Sequence, residues 1–298
     1  MRKKKKRHVF VTLVQLLALA AMAYCLAQAI PKLLEYRASD EAFRAIRENA
    51  VSNLDPTEKE KETEGQTETE TEDLPDDLDT ALHIDWEEFE GTDIVAWIQL
   101  DDISYPVMYS KDNDTYLHHL PDGTYNYGGS LFLYNQNNPL FTDESSFIYG
   151  HNMANGSMFG TLRKYTDEGY KDHRFYIYLP DGRRLTYRFY SVVSTRYDSE
   201  AYTWYFSSRN SFLDWQDWMA GQSLYENSQE PDPDAQYVTL STCNGYAGTD
   251  NRLLITGQLE REDKLQEPAS WYDPEKWQDF DPWAIGNGED GIWITEKE

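Results

Sequence analysis

The chain has 298 residues, of which 40% are hydrophobic and 14% aromatic, so it contains enough apolar side chain for a large folded domain. Acidic residues outnumber basic ones by 53 to 27, and six of the basic residues lie within residues 2–7. The strongly acidic remainder argues against nucleic acid, or an anionic membrane surface, as a partner of the folded part.

The N-terminus has the pattern of a membrane anchor. The basic residues 1–8 precede an apolar run at 9–30, and about 22 residues in a helix span a hydrocarbon core of about 30 Å. Because the positive charges come first, we expect a single-pass protein of the cell membrane with a cytoplasmic N-terminus and an extracellular remainder. The small-residue patterns AMA at 21–23 and AQA at 27–29 leave a cleaved signal peptide as the alternative.

Two further segments follow the apolar run. Residues 31–54 carry apolar side chains at near-helical spacing and are predicted to form a juxtamembrane helix. Residues 55–80 are acidic and almost without apolar side chains, so they bury too little surface to offset the loss of chain entropy. We expect them to form a disordered spacer that holds the domain away from the membrane.

Residues 81–260 show short strand patterns separated by turns, which favours a barrel or sandwich over a parallel α/β sheet. The clearest hairpin is RFYIYLPDGRRLTYRFY (174–190), in which Asp181 and Gly182 predict a tight type I′ turn. Short helices are predicted at 83–90, 112–118, 157–165 and 209–220. Strands are predicted at 94–100, 103–108, 129–134, 145–149, 174–179, 184–193, 236–242 and 252–259.

Two aromatic-rich regions have two interpretations each. The connection of roughly 40 residues between Val193 and Gln236 is too long for a plain link, so it is either a binding loop or a surface insertion. Residues 261–298 form an acidic extension with four tryptophans. This extension is either a disordered tail or a segment that packs on the domain or on a partner.

Cys243 stands where acyl-transfer chemistry is expected. The other cysteine, Cys25, falls in the apolar run, so we expect Cys243 to remain a thiol. Arg252 opens the next strand after a connection of eight residues, and antiparallel pairing would bring the two side by side. An arginine there can stabilise the oxyanion that forms when a thiolate attacks a carbonyl. The alternative is an inert thiol in a membrane-tethered binding module.

Of the six histidines, His151 has the position expected of a proton shuttle for that thiol. It follows the hydrophobic strand SSFIY and Gly150, so it lies at a strand end as Cys243 does. His118 and His119 have no evident acidic or thiolate partner at a ligand spacing, and no glycine-rich phosphate loop is present in the sequence. We therefore expect neither a metal nor another cofactor.

Four segments together resemble the class B sortases, a family of cysteine transpeptidases. They are GGSLFLYNQNN (128–138), FIYGHNMANGSMFGTLRKY (147–165), TLSTC (239–243) and NRLLITGQL (251–259). The resemblance covers about 83–260 and implies a mainly β fold, an eight-stranded closed barrel with short peripheral helices. By position it implies that Cys243 is the nucleophile that forms a thioacyl intermediate. It makes His151 the general acid and base, and Arg252 the group that steadies the substrate carbonyl.

The resemblance also implies partners and a location. Surface proteins with a C-terminal sorting signal would be cut after threonine, and the acyl group would pass to a peptidoglycan amine at the outer face of a Gram-positive membrane. Substrate-binding positions fall on Asn113, Leu117, Ser241 and Tyr202. Asn244 follows the cysteine where many relatives carry an acidic residue, which leaves substrate preference open.

Two other enzyme classes remain open on the sequence alone. A pilus-polymerising sortase would use a pilin lysine in place of the wall amine, and no motif tests this choice. A hydrolytic cell-wall cysteine peptidase fits less well, because such enzymes usually have the cysteine before the histidine in the chain, whereas His151 precedes Cys243 here.

Overall fold

The computed structural model describes residues 2–54, 80–226, 229–245, 248–277 and 280 of the chain. Helices α1 (Arg2–Ala50) and α2 (Arg209–Gln222) accompany ten strands in this part. The strands are β1 (Val51–Asn53), β2 (Leu82–Ile84), β3 (Ile94–Leu100), β4 (Ile103–Met108), β5 (Leu131–Leu133), β6 (Ser145–Tyr149), β7 (Arg174–Tyr178), β8 (Arg183–Arg196), β9 (Tyr237–Cys243) and β10 (Asn251–Lys264).

Eight of these strands close into a barrel in the order β10, β8, β7, β3, β4, β5, β6 and β9. The β4–β5 and β6–β9 pairs are parallel, and the other neighbours run antiparallel. Alternate residues such as Val238, Leu240 and Ile255 fill the interior, where each large apolar side chain contributes about 1.5–3 kcal/mol by burial. The mainly β, eight-stranded closed barrel that the sequence predicts is confirmed.

The peripheral helices are shorter than the sequence indicated. Three of the four predicted helices are single 3-10 turns, at Trp86–Phe89, Thr115–Leu117 and Leu162–Thr166, and part of the first is the strand β2. A short α-helix does not recover its nucleation cost, whereas a 3-10 turn needs few residues. Of the four predicted peripheral helices, only the last forms an α-helix, α2, because it has a capping box at Ser208 and an apolar face that packs on the outside of the barrel.

The β7–β8 hairpin is confirmed, but its turn is not of type I′. A type I′ turn needs positive φ at both central residues, and here Gly182 has φ +87° while Asp181 does not have a positive φ. The amide of Gly182 donates to the carbonyl of Leu179 at 3.0 Å, with Pro180 next in the chain. Proline fixes φ near −65°, so the chain forms a type I turn followed by a glycine bulge.

Helix α1 is one continuous element that has two environments. Its apolar N-terminal half is long and apolar enough to cross a membrane, and none of that stretch is buried in the protein. Its C-terminal half packs on the barrel, where Phe43 is buried and meets Tyr105 edge to face at 5.3 Å. The guanidinium of Arg47 lies 5.6 Å from the centre of the same tyrosine ring. The predicted span and juxtamembrane helix are therefore parts of one helix, which ends at Ala50, so that residues 51–53 of the helix predicted at 31–54 form strand β1 instead.

The described residues on either side of the predicted acidic spacer lie side by side. Strand β1, directly after α1, pairs with β2, directly before the barrel, with Asn53 opposite Leu82. The chain between these strands therefore leaves and returns at one place. Residues 55–79 themselves lie outside the described residues.

The first part of the C-terminal extension packs against the barrel. Leu265 and Ala269 are buried, and the indole Nε1 of Trp271 donates to the carbonyl of Trp86 at 2.9 Å. Trp277 contacts Tyr109 edge to face at 5.5 Å. For residues 265–277 the packed interpretation is therefore right, while residues 281–298 lie outside the described part of the chain.

An aspartate at the β3–β4 turn fastens one end of the barrel. Asp101 accepts hydrogen bonds from Lys164 at 2.9 Å and from the hydroxyl of Tyr165 at 2.8 Å, both on the turn that covers this end. His173 lies 2.9 Å from its other oxygen. Burial alone would raise the pKa of Asp101, but these three hydrogen bonds outweigh it and lower the pKa to about 2.

This shift gives a pH dependence of stability. Because the folded-state pKa lies below the ordinary value, ionised Asp101 stabilises the fold above about pH 4, and this stabilisation is lost as the pH falls through about 2. We expect the melting temperature of Asp101→Asn to fall less than that of the wild type between pH 5 and pH 2. Asp102→Asn is the control, because that side chain is 85% exposed. Its substitution should leave the fall in melting temperature between pH 5 and pH 2 the same as in the wild type. Parallel acid profiles for the wild type and Asp101→Asn would contradict the assignment.

Candidate active site

Strand pairing brings together the three residues singled out in the sequence. Cys243 at the end of β9 lies directly opposite Arg252 at the start of β10, as the antiparallel prediction required. Strand β6 runs parallel to β9 with Tyr149 opposite Ser241, so the chain that leaves β6 carries His151 to the same end of β9. Three separate strands therefore deliver a thiol, a guanidinium and an imidazole to one place.

These side chains line a small cleft on the outside of the barrel. Val238 and Leu240 point into the barrel core, so the alternating residues Ser241 and Cys243 face outward. The lining residues are Leu117, Tyr149, Gly150, His151, Ser241, Thr242, Cys243 and Arg252. Among the described residues, no group of three or more His, Cys, Asp or Glu side chains is arranged to hold a metal.

His151 is held in one orientation. It is 9% exposed, and its Nε2 lies 2.9 Å from the carbonyl oxygen of Leu117. A carbonyl oxygen only accepts, so the neutral ring carries its proton on Nε2, and Nδ1 is the nitrogen that can exchange a proton with a thiol. The preceding Gly150 has no space for a side chain, because a Cβ there would lie 2.2 Å from Leu131. The segment that carries the histidine is therefore closely packed.

Arg252 is buried, and main-chain groups fix its guanidinium. Its Nη1 donates to the carbonyls of Thr249 and Asn251, both in or next to the β9–β10 connection. The ring of Tyr197 lies 5.9 Å from the guanidinium carbon. Carbonyl groups orient an arginine without neutralising its charge, so this cation can stabilise an anion that forms at its side.

Two hydrogen bonds from side chains to main-chain carbonyls join the Cys243 end of β9 to the His151 segment. The side-chain nitrogen Nδ2 of Asn152 donates to the carbonyl of Cys243 at 2.9 Å. The hydroxyl of Thr242 donates to the carbonyl of Gly150 at 2.8 Å. These two bonds fix the distance between the residues that carry the thiol and the imidazole, which proton exchange between them requires.

The long aromatic connection reaches the cleft through Tyr202. Its hydroxyl lies 2.8 Å from the hydroxyl oxygen of Ser241, and its ring stacks on Phe147 and Tyr149. Burial raises the pKa of Tyr202 far above its ordinary value, so the phenol stays neutral. Of the two interpretations of this connection, contact with the cleft favours the binding loop.

The four predicted substrate positions lie in different surroundings. Leu117 and Ser241 line the cleft, and Tyr202 contacts Ser241. Asn113 does not line it: its amide nitrogen donates to the side chain of Asn135 at 2.9 Å, and its oxygen accepts from the amide of the same residue. Asn113 thus braces its loop against the chain after β5, and substrate contact by this residue stays a prediction.

Sequence reasoning missed Tyr149. This residue is 2% exposed and lines the cleft, and among the described residues no group accepts from or donates to its hydroxyl. Burial raises its pKa well above the ordinary value. The signal was available, since Tyr149 ends its strand two residues before His151, and alternation along an extended chain puts residues two apart on one face.

Comparison with known proteins gives the same family as the sequence motifs. The family model described as Sortase domain matches residues 98–260, more than half of the chain. Sortase B of Listeria monocytogenes is 33% identical over 171 residues, which cover 56% of this chain and 70% of that protein.

Solved structures agree. The X-ray structure of Clostridium perfringens sortase B is 27% identical with a TM-score of 0.53, and the match covers 57% of this chain and 94% of that one. A Streptococcus pyogenes class B sortase involved in pilus biogenesis is 28% identical with a TM-score of 0.51, over 56% of this chain and 92% of that one. The chain belongs to the sortase family, in class B, and is a sortase-type transpeptidase.

Proposed function

We propose that this sortase cuts a C-terminal sorting signal after threonine and transfers the protein to a peptidoglycan amine, with Cys243, His151 and Arg252 as its catalytic residues. The observation that carries the proposal is the pairing of Cys243 with Arg252 across β9 and β10, beside a histidine whose Nε2 is fixed. A structural thiol has no need of a buried cation and an oriented imidazole at its side.

In the first half-reaction the thiolate of Cys243 attacks the threonine carbonyl carbon. The new C–S bond forms, negative charge collects on the carbonyl oxygen, and Arg252 donates hydrogen bonds to it. The C–N bond then breaks, and protonated His151 gives its proton to the departing amine. This step leaves the acyl group on sulfur as a thioester and releases the C-terminal fragment.

In the second half-reaction the acceptor amine attacks the thioester carbon. A C–N bond forms and the C–S bond breaks, so the thiolate of Cys243 returns to its starting state. His151 takes up the proton that the amine loses, which restores the protonated imidazole for the next cycle. Water in place of the amine would give hydrolysis, the reaction of the peptidase alternative.

We place the barrel outside the cell, with α1 as the membrane anchor and the N-terminus in the cytoplasm. The exposed apolar half of α1 and the basic residues that precede it support this orientation. Because the other half of α1 packs on the barrel, the cleft would lie close to the membrane surface. Surface proteins with a sorting signal and peptidoglycan precursors would meet there.

The test uses the full-length protein in detergent micelles with a panel of threonine-containing sorting peptides, with and without triglycine. Mass spectrometry would follow the mass of the protein and of the peptide products. The proposal predicts an acyl adduct on Cys243 and a ligated peptide that forms only when the amine is added. Hydrolysis at the same rate with and without amine would support the peptidase alternative, and a failure to form any adduct would support the binding module.

A pilus-polymerising activity is the second candidate, favoured by the likeness to the Streptococcus pyogenes enzyme involved in pilus biogenesis. The two candidates differ only in the acceptor. A lysine-containing pilin peptide and a peptidoglycan-derived amine, offered together at equal concentration, would compete for the same thioester. Preferential ligation to the lysine side chain would replace wall anchoring by pilus assembly as the proposed function.

The buried hydroxyl of Tyr149 gives a further prediction. A buried hydroxyl without a partner costs about 1–3 kcal/mol, so Tyr149→Phe should raise the melting temperature. We expect kcat/KM to fall about tenfold in the same variant, because Tyr149 lines the cleft and a bound substrate amide would supply its hydroxyl with a partner. Tyr187→Phe is the matched control: that hydroxyl is also buried without a partner but lies in the barrel core, so stability alone should rise. Unchanged kcat/KM in Tyr149→Phe would exclude the role.

A further inference from the structure

The turn at residues 126–130 joins helix α1 to the His151 segment. Asn126 is 2% exposed, and its side-chain nitrogen donates to the carbonyl of Glu35 in α1 at 2.9 Å. Its side-chain oxygen accepts from the amide of Gly128 at 2.8 Å, which shapes the turn. A single buried amide therefore bonds both the helix and the turn.

Tyr127, the next residue, lies against the catalytic imidazole. The rings of Tyr127 and His151 stack with centroids 5.9 Å apart and an angle of 15° between their planes. On the α1 side, the ammonium of Lys32 lies 5.7 Å from the centre of the tyrosine ring. His118 also stacks on His151, at 5.7 Å. The imidazole thus has aromatic neighbours and a hydrogen bond at one edge.

The same turn also supports the carbonyl that orients His151. Gly129 has φ +52°, and a Cβ there would lie 2.2 Å from the oxygen of Leu117, the acceptor of the Nε2 proton. At Gly128 a Cβ would lie 3.1 Å from Met153 and 3.6 Å from Ser39 of α1. The turn is therefore packed between the helix on one side and the histidine and its acceptor on the other.

We propose that Tyr127 is a positioning residue for His151 and that helix α1 fixes Tyr127 through Asn126. The anchoring helix and the catalytic imidazole then form one packed unit, and α1 contributes to turnover as well as to location. The proposal rests on the proposed role of His151. Tyr127 does not line the Cys243 cleft, so it acts through the orientation of the imidazole and not through substrate binding.

The first test replaces Tyr127 in the full-length protein and measures steady-state ligation. We expect Tyr127→Ala and Tyr127→Leu to lower kcat about tenfold, with KM for the sorting peptide unchanged within a factor of two. Tyr127→Phe keeps the ring and should stay within twofold of the wild type in both constants. Tyr125→Ala is the control in the same loop, because the ring of Tyr125 contacts the rings of His118 and His119, the second edge to face, and does not stack on His151. Full kcat in Tyr127→Ala and Tyr127→Leu, or a matching loss in Tyr127→Phe, would overturn the proposal.

The second test separates the contact with α1 from the shape of the turn. In Asn126→Asp the side chain still accepts from Gly128, but an ionised carboxylate cannot donate to Glu35. We expect kcat to fall several-fold at pH 8 with KM unchanged. Asn155→Ala removes a more exposed contact with Asp40 of α1 and should have no effect on kcat. A kcat in Asn126→Asp equal to the wild-type value would show that helix α1 does not fix Tyr127 through Asn126.

His151→Ala in the same assay distinguishes the positioning role of Tyr127 from the proposed catalytic role of His151. A loss of about 10²-fold or more in His151→Ala with wild-type behaviour in the Tyr127 variants would overturn only the positioning role. Near wild-type turnover in His151→Ala would overturn the proposed function of the histidine itself, and the positioning role with it.

Discussion

Replacing Cys243 by alanine is expected to abolish both the acyl adduct and the ligated peptide. Cys243 is the one thiol among the residues that line the cleft, and nothing else there can form a thioester. In Cys243→Ser the rate of ligation should fall at least about 10³-fold, because a serine hydroxyl ionises far less readily than a thiol near neutral pH. Intact-protein mass spectrometry after incubation with the sorting peptide measures the adduct directly.

Two controls make this result specific. Cys25→Ala removes the thiol in the apolar half of α1 and should keep wild-type ligation. Iodoacetamide should alkylate Cys243 in the wild type, whereas the buried inert thiol of the binding-module alternative would resist it. Ligated product from Cys243→Ala, at any rate above that of peptide without enzyme, would show that another residue is the nucleophile.

Much of the barrel was predictable because local sequence and tertiary structure agree there. The strand patterns gave seven of the barrel strands to within three residues at each end, whereas β10 runs five residues beyond its predicted end, to Lys264. The hairpin turn type differs from the prediction although its signal is present in the sequence: Pro180 before Asp181 fixes a negative φ that excludes type I′, whereas the Asp-Gly pair alone indicates it. The short helices were over-predicted because periodicity alone does not distinguish one turn of 3-10 helix from an α-helix.

The clustering of Cys243, Arg252 and His151 could be predicted because it follows from where strands end. By contrast, the docking of α1 depends on contacts between residues far apart in the chain. Asn126 and Glu35 are separated by 91 positions, and nothing local indicates that a juxtamembrane helix will bind this turn. The position of Asn113 was not predictable for the same reason, since its partner Asn135 lies 22 residues away on another loop.

Replacing Arg252 is the second substitution with a very large expected effect. We expect Arg252→Ala to lower kcat/KM at least about 10²-fold, because loss of one oxyanion donor in a buried site costs about 2.7–4 kcal/mol of transition-state stabilisation. The same side chain also bonds the carbonyls of Thr249 and Asn251, so the substitution removes a structural contact as well. Activity alone therefore does not separate the two effects.

Alkylation by iodoacetamide separates them, because that reaction at Cys243 forms no oxyanion. If Arg252 acts on the acyl-transfer transition state, Arg252→Ala should be alkylated at a rate within a few-fold of the wild type while ligation falls 10²-fold. Arg252→Lys keeps the positive charge but not the planar fork that reaches two carbonyls and an oxyanion together. Its ligation rate should therefore lie between those of the wild type and Arg252→Ala. A parallel fall of alkylation and ligation would instead mean that the arginine only maintains the β9–β10 connection. The charge opposite Cys243 would then be structural, and the oxyanion would need another donor.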